Sequence, residues 1–240
     1  MLAIYVHIPF CKQKCRYCDF NSYAGLGSLH QAYTDALSAE IALRATDVDD
    51  THVSSIYIGG GTPTLVDPAH IDTILNAIGK HFSVSQDAEV SIEANPETIT
   101  MDRLVALRKV GVNRLSIGFQ SLDDAFLKIL GRKHSAQQAV DSLRAAREAG
   151  FSNTNIDLIF GVPGQSVASW ALTLEQVIAL APDHVSCYGL TIEPGTALER
   201  DIANGRVEAP DEDLQADMFT YTIESLKESG FEHYEISNYA

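Results

Sequence analysis

Six short runs rich in valine, isoleucine and leucine alternate with six longer stretches of helical period, and this alternation constrains the fold more than any other feature. Periodicity predicts strands over residues 3–8, 53–58, 88–93, 114–119, 154–160 and 184–190. It predicts helices over 29–45, 68–82, 101–110, 136–149, 167–180 and 211–229. Asp67 before Pro68 is a capping residue followed by proline at the first helical position. Gly111, Gly150 and Gly230 each lie just beyond a predicted helix, where helices stop. A seventh strand is expected over 232–236, and residues 193–210 read as a longer loop with room for a short helix. Strict alternation predicts an α/β protein with a parallel sheet and right-handed crossovers. Eight units would close a full barrel; six leave either an open doubly wound sheet or a partial barrel. No linker rich in Ser or Pro interrupts the pattern, so residues 1–240 read as a single domain.

Composition excludes several classes of function. At 45% hydrophobic and 20% charged, the chain is globular in character. A chain of 240 residues buries roughly 70–75% of its unfolded surface, so it needs no disulfide or metal staple to fold. With 17 Lys and Arg against 32 Asp and Glu, the formal net charge is −15. That balance lacks the electrostatic footprint of a nucleic-acid binder. No apolar run approaches the ~20 residues of a membrane span. The amino terminus has no basic region and is broken by Pro9, so it is not a signal peptide. The expectation is a soluble cytoplasmic protein.

The four cysteines sharpen this reading. Cys11, Cys15 and Cys18 crowd into one short segment, while Cys187 stands far away. Three thiols so close cannot pair without leaving one over, and in a reducing compartment such a group more often holds a metal. In an iron–sulfur cube each iron takes one thiolate, so three cysteines leave one iron of a [4Fe–4S] cluster open to a ligand. A structural zinc site is the plainer alternative and wants four closed ligands, with His7 or Asp19 as the fourth. Cys187 sits four residues before Thr191, about 13 Å further down a strand, and reads as a buried small apolar residue.

In parallel α/β folds, ligands bind beyond the carboxyl ends of the strands. The residues expected there are the three cysteines, the run Gly59-Gly60-Gly61-Thr62-Pro63-Thr64, Glu93, Gln120, Asp157 and Thr191. Each has a plain structural reading as well. The glycines alone make a turn, Glu93 caps a helix near Thr98, and Asp157 is a satisfied acid inside an apolar strand. Trp170 and the stripe over 221–226 are helix core.

The three-cysteine loop after the first strand, with aromatic Tyr17 before the last cysteine, resembles the signature of the radical S-adenosylmethionine (SAM) superfamily. The resemblance implies a (β/α)6 partial barrel, a [4Fe–4S] cluster on Cys11, Cys15 and Cys18, and SAM chelated at the open iron. It also implies one-electron cleavage of the SAM carbon–sulfur bond to a 5′-deoxyadenosyl radical. Longer blocks, among them Tyr5-Val6-His7-Ile8-Pro9-Phe10-Cys11, Ser91-Ile92-Glu93, Asn113-Arg114-Leu115-Ser116-Ile117-Gly118-Phe119-Gln120 and Thr154-Asn155-Ile156-Asp157-Leu158-Ile159-Phe160-Gly161, resemble the oxygen-independent coproporphyrinogen III oxidase group. That resemblance implies cofactor contacts at Tyr5, Tyr17, Gly60, Gly61, Thr62, Glu93, Gln120, Arg132, Asp157 and Thr191. Within the group, true oxidases commonly carry a further cysteine where this chain has Phe20, and a long segment before the first strand. The Cys18-Asp19-Phe20-Asn21 form and the abrupt start are those of the HemW-type heme chaperones. That branch implies heme or a porphyrinogen as cargo and a heme-accepting respiratory protein as partner. None of the eight histidines is followed by asparagine, so the branch's His-Asn-x-x-Tyr motif names no heme ligand here, and its further C-terminal domain is expected to be missing. Three functions stay open: a heme chaperone, a porphyrinogen oxidase, and a structural metal-site domain.

Overall fold

The computed structural model describes residues 1–240. In chain order its elements are β1 (Leu2–Ile8), β2 (Phe10–Cys11), β3 (Tyr23–Ala24), α1 (His30–Arg44), β4 (His52–Gly60), α2 (Pro68–His81), β5 (Ser83–Ala94), α3 (Met101–Lys109) and β6 (Arg114–Gln120). There follow α4 (Asp124–Leu130), α5 (Ala136–Glu148), β7 (Thr154–Phe160), α6 (Val167–Ala179), β8 (His184–Gly189), α7 (Ala197–Ala203), α8 (Glu212–Glu228) and β9 (Asn238–Tyr239). All six predicted strand–helix units are present, with ends displaced by a few residues at most except at β5.

The chain divides into two compact units. The first comprises Met1–Lys14, Phe20–Leu115 and Ala145–Ser152; the second comprises Cys15–Asp19, Ser116–Arg144 and Asn153–Ala240. In the first unit β4 pairs in parallel with both β1 and β5. Its buried residues include Val6, Ile8, Ile56, Ile58 and Ile92 from the strands and Ile71, Ile74, Ile78, Leu104 and Leu107 from α2 and α3. The spacing of the α2 isoleucines, three then four, places them on one face of that helix. Asp67 caps α2 by accepting from the Ala69 amide, as the sequence predicts.

In the second unit β7 pairs in parallel with β8, and β9 closes antiparallel on β8 with Tyr239 opposite Val185. The additional strand is therefore two residues, Asn238 and Tyr239, and not residues 232–236. Tyr239 is wholly buried, whereas Glu235 and Ile236 are exposed. Burial of the large ring thus sets which residues pair. Leu130, Ile159, Val162, Leu190 and Leu198 form one buried cluster, against which Tyr17 packs. Helix α6 starts with a reciprocal Ser166–Ser169 capping box, and its Trp170 ring nitrogen donates to Thr222 Oγ1 of α8 at 2.8 Å. No helix is long and apolar enough to cross a membrane.

Candidate functional site

Cys11 ends the extended pair Phe10–Cys11, which lies in register with Tyr23–Ala24. The Cys18 amide donates to the Cys15 carbonyl at 3.3 Å, folding the second half of the loop into a turn. All four cysteines are free; Cys11, Cys15 and Cys18 are half-buried and Cys187 is buried, with its thiol pKa pushed up by desolvation. That burial agrees with the apolar reading of Cys187. No group of three His, Cys, Asp or Glu side chains is gathered tightly enough to hold one ion. A cube asks for a different spacing, because each of its irons takes a single thiolate.

In the first unit, the glycine run is tied to the start of the cysteine loop. The Gly61 amide donates to Ile8 O and the Thr62 amide to Phe10 O, each at 2.8 Å. A Cβ on Gly61 would lie 2.6 Å from Phe10 O and 3.0 Å from Cys11 Sγ, and one on Gly60 (φ +119°) would meet the His7 ring at 2.7 Å. These glycines are required by close approach, which a plain turn does not demand. Thr62 Oγ1 lies 3.7 Å from Cys11 Sγ as a donor and accepts from Asn95 Nδ2 at 3.0 Å. The glycine run thus packs directly against the backbone leading into Cys11, and the soft thiol set suits an iron–sulfur cluster.

Glu93 is not a helix cap: Thr100 caps α3, and Asn95 stands at the start of the short turn before it. Its carboxylate accepts from Tyr57 Oη at 2.9 Å and from the Gly60 amide at 3.0 Å. The Tyr5 ring stacks on Tyr57, and burial, then the Glu93 charge, raises the pKa of its hydroxyl. His7 is unsuited as a fourth zinc ligand. Its Nε2 is 2.8 Å from Asn21 O, which only accepts, so the proton sits on Nε2, and Nδ1 then accepts from Tyr5 Oη at 3.1 Å. Asp19 is exposed.

In the second unit, Arg132 donates to Gly118 O at 2.9 Å and reaches Cys15 Sγ at 3.5 Å. Burial raises the pKa of the Tyr17 hydroxyl, and the hydrogen-bonded Arg132 opposes that shift. Gln120 ends β6 with φ +66°, an uncommon conformation for a residue with a side chain. Asp157 accepts from Ser116 Oγ at 2.9 Å and from Asn155 Nδ2 at 2.7 Å. Asn155 in turn meets His184 Nδ1 at 2.7 Å, and His184 Nε2 meets Tyr234 Oη at 2.8 Å. Asp157 is therefore held by a polar chain across β6, β7 and β8. Thr191 lies exposed just past β8. The sequence reading missed Asn95, Asn155, His184 and Tyr234. The one available signal was the pair Asn155 and Asp157, two apart on the same face of an apolar strand.

The Radical SAM superfamily model matches residues 5–177. Among curated relatives, the mitochondrial radical S-adenosyl methionine domain-containing protein 1 of Mus musculus is 41% identical, covering 99% of this chain and 54% of its own. The heme chaperone HemW of Escherichia coli is 39% identical, covering all of this chain and 62% of its own. Among solved structures, the coproporphyrinogen III oxidase HemN of Escherichia coli, described as a radical SAM enzyme, matches with a TM-score of 0.88 and 36% identity, over 99% of this chain and 55% of that one. The fold is thus the α/β partial-barrel class that the family resemblance implied. The chain spans just over half to about three fifths of the length of these relatives.

Proposed function

The chain belongs to the radical SAM superfamily, and on that premise we propose that it is a HemW-type heme chaperone carrying a [4Fe–4S] cluster and SAM. The observation that carries the reading is the 39% identity to a protein named heme chaperone over the full span of this chain. Cys11, Cys15 and Cys18 would hold the cluster, one thiolate to an iron. When bound, the cluster and SAM supply reductive cleavage of a carbon–sulfur bond.

The chain's own residues have defined work in this reading. Without side chains, Gly59–Gly61 let backbone approach a ligand beside Cys11, and their carbonyls can take an ammonium. Glu93, fixed by Tyr57 and Gly60, presents acceptor capacity to hydroxyl groups. Tyr5 lays an exposed aromatic face next to it. Arg132 offers a guanidinium beside Cys15, suited to a carboxylate. Gln120, Asp157, Tyr17 and Thr191 complete the expected contacts. Cargo is heme or a porphyrinogen, the partner a heme-accepting respiratory protein, and a reducing compartment such as the cytoplasm suits the free thiols.

The oxidase reading is supported by the HemN match at comparable identity. Against it stands Phe20, exposed in the position where the oxidases commonly carry cysteine. Anaerobic reconstitution followed by parallel hemin titration and a coproporphyrinogen III assay separates the two. Hemin binding without porphyrinogen loss, judged against a variant with all three loop cysteines changed to serine, supports the chaperone. Porphyrinogen consumption above that background overturns it.

A further inference from the structure

Arg16 lies inside the cysteine loop, yet no cluster chemistry needs a cation there. Its surroundings are built around it, all within the second unit. The Arg16 amide donates to Leu130 O at 3.1 Å, and its carbonyl accepts from Leu198 N at 2.8 Å. The loop backbone is thereby fastened on one side to the end of α4 and on the other to the first turn of α7. The guanidinium pairs with Asp201 of α7 through Nη2 and Oδ2, and the other Asp201 oxygen takes Arg206 Nη1 at 3.2 Å. The Asp201 side chain is only 13% exposed. A largely buried carboxylate between two guanidiniums is a strong, charge-assisted arrangement. Gly131 (φ +77°) completes the seat: a Cβ there would lie 2.6 Å from Arg16 Cγ and 3.1 Å from its backbone nitrogen. The neighbouring Tyr17 packs against the buried cluster to which Leu130 and Leu198 belong.

We propose that Asp201 is a positioning residue for the iron–sulfur cluster, acting through Arg16 to hold the Cys15–Cys18 turn in its metal-binding form. This rests on the cluster reading above. Metal ligation by a short loop loses affinity when the loop must be ordered on binding, because its conformational entropy is lost then. A loop already fastened to α4 and α7 has lost that freedom on folding. Removing the Asp201 charge frees the Arg16 side chain, loosens the turn and exposes the thiolate bonds to competition.

The test compares the reconstituted wild-type chain with Asp201→Asn, Asp201→Glu, Arg16→Gln and the Arg16→Gln/Asp201→Asn double variant. Iron release to a chelator and the electron paramagnetic resonance of the reduced cluster are read, with apo-protein melting as control. Asp201→Asn is expected to lose iron about tenfold faster, with a broadened resonance and a fall in apo melting that Asp201→Glu recovers. Asp201→Glu is expected to recover most of the loss, and the double variant to lose iron no faster than either single one. Iron loss by Asp201→Asn at the wild-type rate overturns the proposal. So do additive effects in the double variant, or faster loss matched by a general fall in melting that Asp201→Glu does not recover. A wild-type chain that takes up no iron fails the cluster reading itself, a result distinct from all of these.

Discussion

His134 is buried, with Nε2 donating to Phe119 O at 3.0 Å and Nδ1 facing no acceptor. Protonation would place an unpaired N–H in the interior. Burial first, and Arg132 second, lower its pKa to about 4. An unfolded histidine near 6.5 binds the proton that the folded one refuses. The neutral ring therefore adds stability in full above pH 6.5, and that stability is lost as pH falls toward 4, amounting to about 3 kcal/mol. Chemical denaturation between pH 4 and 7 is expected to show a shallower acid loss for His134→Gln than for wild type. Glu93→Gln keeps the shape but removes the charge, and is expected to weaken SAM binding about ten- to a hundredfold in equilibrium dialysis, equivalent to roughly 1.5–3 kcal/mol. Its iron content is expected to match wild type. Gly61→Ala is expected to do the reverse, lowering iron uptake, because the new Cβ collides with Phe10 O and crowds Cys11 Sγ. The cysteine loop and the glycine run were legible because their information is local. Asn95 and His184 were not, because their roles come from partners far away in the sequence that no local spacing reveals.

At the scale of elements, caps and hydrophobic period carried the reading far. Strand β7 falls on its predicted residues, since alternation is unnecessary in a parallel strand buried on both faces. Strand β5 begins at Ser83, five residues early, through a stretch whose Gln86 and Asp87 hide it; pairing of Ser83 and Val84 with His52 and Val53 makes it a strand all the same. Helix α4 was missed for its brevity, although Asp123 before it and Gly131 after it are its cap and stop. Two element-scale predictions follow from the hydrogen bonds. Ser166→Ala removes the α6 capping box and is expected to cost about 1 kcal/mol in urea unfolding. The Tyr239 hydroxyl of β9 is buried without a partner, so Tyr239→Phe is expected to leave stability equal or higher. A loss above about 1 kcal/mol would show that the hydroxyl is bonded after all.

For the whole molecule, the sequence carried the α/β class and left the choice between an open sheet and a partial barrel to resemblance; the 0.88 TM-score to HemN settles that choice. Charge could only exclude, as the −15 balance does for non-specific nucleic-acid binding. The central claim is that the three-cysteine loop carries a cluster with one iron open to SAM. Electron paramagnetic resonance of the anaerobically reconstituted, reduced chain, recorded with and without SAM, tests it most directly. The account predicts about four irons per chain, a resonance that shifts when SAM is added, loss of the signal in Cys11→Ser, Cys15→Ser and Cys18→Ser, and its survival in Cys187→Ser. Zinc in place of iron, a resonance indifferent to SAM, or a signal that vanishes with Cys187 would contradict it.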